Sequence, residues 1–261
     1  MDPTLRFVEL VNGPTADVDL TEGWLLLGAH ADPAQDSARE RARLADIASQ
    51  CREGDLSNLR RLLFDEFGFV GDADDYYNPD NTFLGAVLDR RRGLPIALSA
   101  LMLEVGGLVG VPLVGVGLPG HFMLRHRTEP DVFIDAFAGG TLLDRAGCEQ
   151  VFRRIAGPSA PFDDRYLAPV SSAAILGRMT ANLVNAYRRS DNRHGLRWAA
   201  RLRARCPGVS PQEATQLALS LAHCGAYDEA GALMDGAADV LSGTDADRWR
   251  REAQRHLARL N

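Results

Sequence analysis

Lysine is missing from this chain; all 29 basic residues are arginine. That excludes a Walker-type phosphate loop, which needs a lysine to grip the phosphates. The bias fits a GC-rich bacterial genome better than any chemistry. Cysteine is scarce: Cys51, Cys148, Cys206 and Cys224 lie far apart and form no CxxC. Neither a disulfide framework nor a zinc ribbon is expected, and the four read as reduced, mostly buried thiols. No apolar run reaches the ~18 residues of a membrane span, and MDPTLRFVEL lacks the layout of a signal peptide. A cytoplasmic protein without membrane contact is therefore expected. HExxH is absent too, and His121 and His126, five apart, point to opposite faces of a regular strand. Gly115, Gly117 and Gly120 precede no helix, which argues against a dinucleotide loop. No metal and no cofactor are predicted.

What is present is a globular composition, 46% hydrophobic and 25% charged, with a net charge of −6. General nucleic-acid binding needs cationic contacts to phosphate, so it is not expected. Residues 1–170 carry 16 Arg against 26 acids, whereas 171–261 carry 13 Arg against 9 acids. The basic C-terminal part suits an acidic protein partner.

Periodicity predicts helices at Leu20–Gly28, Pro33–Arg52 and Leu56–Phe67, then one capped by Asn81 and running to Arg90 or Arg91. Pro95 to Val105 is apolar on nearly every face, with Pro95 suited to the first helical position, so it predicts a buried central helix. Val111–Leu118 reads as a strand, and His121–Arg125 with Val132–Phe137 as an antiparallel hairpin. Beyond Pro169 only helical patterns follow, at about 173–190, 193–205, 211–224, 228–241 and 245–260. An offset of 34 residues lays Leu196 on Ala230 and Ala199 on Leu233, a period that fits a tetratricopeptide-like repeat. A generic helical bundle is the alternative. The expected domains are 1–170 and 171–261.

His121 and Asp135 are the chemical candidates. An even hairpin register, joining 123 to 135 and 121 to 137, puts both on one sheet face. A carboxylate then orients an imidazole, as a nucleophile beside it requires. The competing reading makes them a satisfied polar residue and a structural acceptor. Glu104, alone in an apolar helix, is expected to pair with one of Arg90–Arg92 or Arg125. Arg90–Arg92 reads as a solvated edge, with an anion site as the alternative, and Arg197, Arg201 and Arg205 as a solvated stripe or a face for an acidic partner.

Taken in order, Asn81-Thr82-Phe83-Leu84, Arg92-Gly93-Leu94-Pro95-Ile96-Ala97-Leu98-Ser99, Gly110-Val111-Pro112, Leu118-Pro119-Gly120-His121-Phe122 and Phe133-Ile134-Asp135-Ala136-Phe137-Ala138-Gly139-Gly140 resemble the transglutaminase-like superfamily, SirB type. The resemblance implies an α+β, papain-like fold with a buried helix against an antiparallel sheet, followed by an all-α, tetratricopeptide-like region. It implies a cysteine, histidine and aspartate as the active set. His121 and Asp135 match the last two, but the cysteine position is Pro95. Proline has no nucleophilic atom. Ser99, one turn on, is the possible substitute, against a role in packing or in bonding a helix carbonyl; Cys148 reads as a buried spectator. Three functions stay open: a catalytically inactive module binding protein through 171–261, an amidase, protease or acyltransferase with a cysteine or serine nucleophile elsewhere, and a purely structural interaction protein. Oligomeric state is left open.

Overall fold

Acidic residues punctuate the start of the chain, and each sets a helix. Asp2, Asp19, Asp36 and Asp55 accept from first-turn amides of α1 (Pro3–Val11), α2 (Leu20–Ala31), α3 (Ser37–Ser49) and α4 (Leu56–Arg60), satisfying donors the helices leave free. The computed structural model describes residues 2–239, so the helix expected at 245–260 lies outside the described residues. α3 is shorter than Pro33–Arg52 because Asp36 caps it, while a turn from Asp32 to Gln35 takes up the residues before. The Leu56–Phe67 pattern also divides. Past Arg60 the chain widens into a π turn over Arg61–Glu66, where Phe67 N reaches Leu62 O at 2.9 Å.

β1 (Val70–Gly71) and β2 (Arg92–Gly93) pair in parallel around α5 (Leu84–Arg90). Asn81 does not cap α5. Its amide donates to Asp75 O and its oxygen accepts from Arg90, and the helix opens at Phe83 without a side-chain cap. Nor are Arg90 and Arg92 a merely solvated edge: they reach Asp72 at 2.9 and 3.4 Å. Asp72 is 2% exposed. Burial alone would raise its carboxyl, but the Asp75 amide, Asn81 and the two guanidiniums outweigh burial and hold it below the usual carboxylate range.

α6 (Pro95–Val109) is the central helix. Pro95 occupies its first turn, where a missing amide is no loss, and Gly110 ends it in the left-handed region at φ 83°. Pro95 through Met102 are buried without interruption. Glu104 takes its hydrogen bond from the Thr21 hydroxyl of α2 rather than from an arginine. Burial pushes its carboxyl up, and the Thr21 bond only partly opposes that.

The helix lies against a five-stranded antiparallel sheet of β3 (Leu113–Val116), β4 (Met123–His126), β5 (Phe133–Asp135), β6 (Thr141–Leu143) and β7 (Pro169–Val170), in the order β6-β5-β4-β3-β7. β3 is shorter than the expected Val111–Leu118, and β7 adds an edge strand that the sequence pattern does not signal. Alternation sorts the sheet's residues. Leu124 and Ile134 join the core around α6, while Val116, Met123 and Phe133 pack with Cys148, Val151 and Phe152 of α7 (Arg145–Ala156).

Ser171, Asn192 and Ser210 cap α8 (Ser172–Arg189), α9 (Arg193–Ala204) and α10 (Pro211–His223), and α11 (Tyr227–Asp239) follows. Each packs on the next, and α8 also packs on α1, α2 and α6. One apolar core thus runs from Phe7 and Trp24 through Leu101 and Leu176 to Leu202 and Leu221. Of the Arg197, Arg201 and Arg205 stripe, the first two reach Glu229 of α11. Among the described residues no helix is long and apolar enough to cross a membrane.

Candidate functional site

The turn Leu118-Pro119-Gly120-His121 delivers the histidine, closed by His121 N bonding Leu118 O at 2.9 Å. Gly120 has φ 76°, and a Cβ there would stand 2.5 Å from Ile155 Cγ2, so both backbone and space require glycine. Asp135 ends β5. The pairing Leu124↔Ile134 and Arg125↔Phe133, continued outward, sets 123 against 135, the even register expected from the sequence. His121 itself precedes β4, yet its Nε2 meets Asp135 Oδ1 at 3.0 Å. The same oxygen accepts from Phe137 N at 3.1 Å and Ala138 N at 3.2 Å. The Phe137 ring stands nearly perpendicular to the imidazole, the ring centres 6.1 Å apart. Both His121 and Asp135 are buried. With Nε2 turned to a carboxylate, Nδ1 is the nitrogen left for another group.

That nitrogen belongs to a ring lining a cleft of about 210 Å³. Leu94, Pro95 and Ile96 at the start of α6 form one wall, Gly120, His121 and Phe122 another, Tyr76, Tyr77 and Asn78 a third, and Arg178, Asn182, Asn185 and Ala186 of α8 the fourth. Pro95 and His121 share the cleft. Ser99 does not reach it: its Oγ is buried one turn deeper, without a hydrogen-bond partner. Cys148 lies in the second core under α7, its thiol pushed up to about 12 by burial, with Asp144 and Asp135 adding to the effect. Cys206 is buried near Thr180, and Cys51 and Cys224 are half-buried elsewhere. Among the described residues no group of three or more His, Cys, Asp or Glu is placed to hold a metal ion.

The sequence pattern described as transglutaminase-like superfamily matches residues 29–181, more than half of the chain and all of α6 and the sheet. The chain belongs to the transglutaminase-like superfamily. A UPF0162 protein of Xylella fastidiosa is 36% identical over 188 residues, covering 69% of this chain and 65% of that relative. A UPF0162 protein of Vibrio cholerae is 29% identical over 185 residues, covering 67% and 68%. F-box only protein 21 of Mus musculus is 32% identical over 161 residues, covering 58% of this chain and 24% of that relative. The chain therefore spans about two thirds or less of the first of these relatives. No solved structure matches.

This transglutaminase-like chain has the expected architecture, a buried helix on an antiparallel sheet with helices beyond. Its cleft also contains residues that local sequence reading passes over. Tyr76, Tyr77 and Asn78 lie in a segment legible only as a polar turn. Arg178, Asn182 and Asn185 recur at i, i+4 and i+7, a polar stripe on one face of α8 that helical spacing could have flagged. Arg178 Nη2 donates to Leu118 O at 2.9 Å and to His121 O. The guanidinium thereby braces the turn that presents the histidine, and it lies 5.5 Å from the centre of the Phe122 ring.

Proposed function

We propose that this transglutaminase-like protein binds a segment of a partner protein in the cleft and does not turn it over. The observation that carries the reading is the identity of the wall facing His121: Pro95 stands there, and among the described residues no cysteine, serine or threonine lines the cleft. Acyl transfer through an enzyme intermediate needs a nucleophile within hydrogen-bond reach of its base. His121 and Asp135 are then a retained pair that orients and donates, and neither replaces the missing atom. Residues 1–170 make up the transglutaminase-like unit in this reading. Residues 171–261 form a tetratricopeptide-like region that binds protein and lends α8 to the cleft wall. The spacing of α9 and α11 supports the repeat, since Arg193 and Tyr227 begin helices at an offset of 34 residues.

The test is chemical. The full chain, treated with thiol- and hydroxyl-directed acylating probes and mapped by peptide mass, should show no label on any residue of the cleft. Cys51 and Cys224 can react as ordinary half-buried thiols, and that reaction should be indifferent to His121. A label that disappears in His121→Ala would overturn the proposal.

A further inference from the structure

The cleft is lined by cationic and neutral polar groups and by no carboxylate. Arg178, and His121 when protonated, are its charged side chains; neither aspartate nor glutamate is among the residues that line it. Most arginines packed inside this fold meet an acid: Arg90 meets Asp72, Arg201 meets Glu229 and Arg203 meets Glu213. Arg178 meets none. It spends Nη2 on two backbone carbonyls and forms no ion pair among the described residues. Burial lowers its pKa, with Tyr76 opposing, which marks a cation short of compensation. Its remaining donors are not sealed in the core, because they are absent from the fully buried unsatisfied atoms.

Other unused polar groups face the same space. The His121 Nδ1, the Tyr76 hydroxyl and the half-buried Asn182 amide have no hydrogen-bond partner among the described residues, and all three residues line the cleft with Arg178. A guanidinium holds a carboxylate more strongly than a neutral amide, most of all where water is restricted, and with Nη2 engaged Arg178 keeps Nη1 and Nε for it.

We propose that the cleft binds a carboxylate of the partner segment, an acidic side chain or a chain terminus, seated on Arg178 with Asn182 and His121 as flanking donors. This rests on the reading that the cleft holds a peptide without turnover. It also relocates the acidic partner expected from the C-terminal charge. Arg197 and Arg201 pair with Glu229, and of the residues that line the cleft the arginine without an acid is the one beside His121.

The experiment uses small probes on the full chain. N-acetylglutamate N-methylamide, its glutamine counterpart, and glycylglycine with free or amidated carboxyl are titrated into ¹⁵N-labelled protein. The backbone amides of residues 120–122 and the Arg178 Nε–H are followed by NMR. One or both carboxylate probes should shift these signals, and which one does so tells side chain from terminus. The amide counterparts should bind at least about tenfold more weakly, roughly 1.4 kcal/mol. Arg178→Gln should abolish the response. Because Arg178 also braces the 118–121 turn, Asn182→Ala, which removes no internal bond, should weaken binding about threefold in a protein that unfolds like wild type. Equal binding of acid and amide probes would overturn the carboxylate proposal and leave peptide binding standing. No shift with any probe would overturn the proposal as well. A His121-dependent covalent label would instead remove the no-turnover reading while leaving carboxylate recognition intact.

Discussion

A proline at the first position of α6 and a thiol at the same place would use one geometry for different ends. Proline presets the backbone for the helix and gives up an amide that has no intrahelical acceptor. A cysteine there would lie at the positive end of the helix dipole, beside an imidazole that Asp135 already holds by 3.0 Å; both effects favour thiolate. The prediction is specific to this residue. Pro95→Cys should be alkylated by iodoacetamide faster than free cysteine, on the order of tenfold at pH 7, with a rate midpoint below the free thiol value of ~8.5. Adding His121→Ala should move that midpoint back up. A Pro95→Cys thiol that titrates like Cys51, with no response to His121, would show that position 95 is not the seat of the superfamily's nucleophile.

At the scale of elements, Asp72 ties together β1, β2 and the end of α5. Its carboxylate is 2% exposed, while its arginine partners keep 30% and 46% of their side chains in solvent. The penalties for breaking the joint are therefore unequal. Arg90→Ala leaves a buried anion with only the longer Arg92 contact and the Asp75 amide, whereas Asp72→Asn leaves guanidiniums that water can reach and keeps an acceptor for that amide. We expect Asp72→Asn to cost roughly 1–3 kcal/mol at neutral pH and Arg90→Ala more. The sign with pH follows from the depressed carboxyl. Between its folded value and the unfolded value near ~4 the unfolded chain binds more protons, so this stabilisation is complete above the unfolded value and is lost as pH falls. The gap between wild type and Asp72→Asn in urea unfolding should thus close as pH drops below about 4; a gap that widens would refute the assignment. This joint also shows where sequence reading stops. α6 and the β4–β5 hairpin are legible because an unbroken apolar run and a short polar turn are local signals. Asn81 looks like a helix cap for the same local reason, but acceptors at 72 and 75 claim that neighbourhood from outside any window that periodicity can see.

The candidate site divides along the same line at the scale of the whole molecule. His121 and Asp135 are 14 residues apart in one hairpin, so spacing and an even register allow them to meet, and the structure joins them at 3.0 Å. Arg178 comes to that histidine from 57 residues away on a helix past the sheet, and only packing brings it there. The helix is fixed by the core: Leu176 sits so close over Gly23 of α2 that any Cβ there would strike it, and Met179 and Leu183 are fully buried. Removing α8 would expose the matching faces of α1, α2 and α6 and open the cleft on one side. Burial of each large apolar side chain contributes about 1.5–3 kcal/mol, and Ile175, Leu176, Met179 and Leu183 together exceed the ~5–15 kcal/mol net stability usual for a domain at the lower end of that range. A chain ended at residue 170 should accordingly fail to unfold cooperatively in calorimetry. One ended after α9, at about residue 206, should keep a cooperative transition at reduced Tm together with the 120–122 response to carboxylate. If the 170-residue chain instead melts cooperatively and retains that response, the helical region is an appendage and Arg178 is no part of the site.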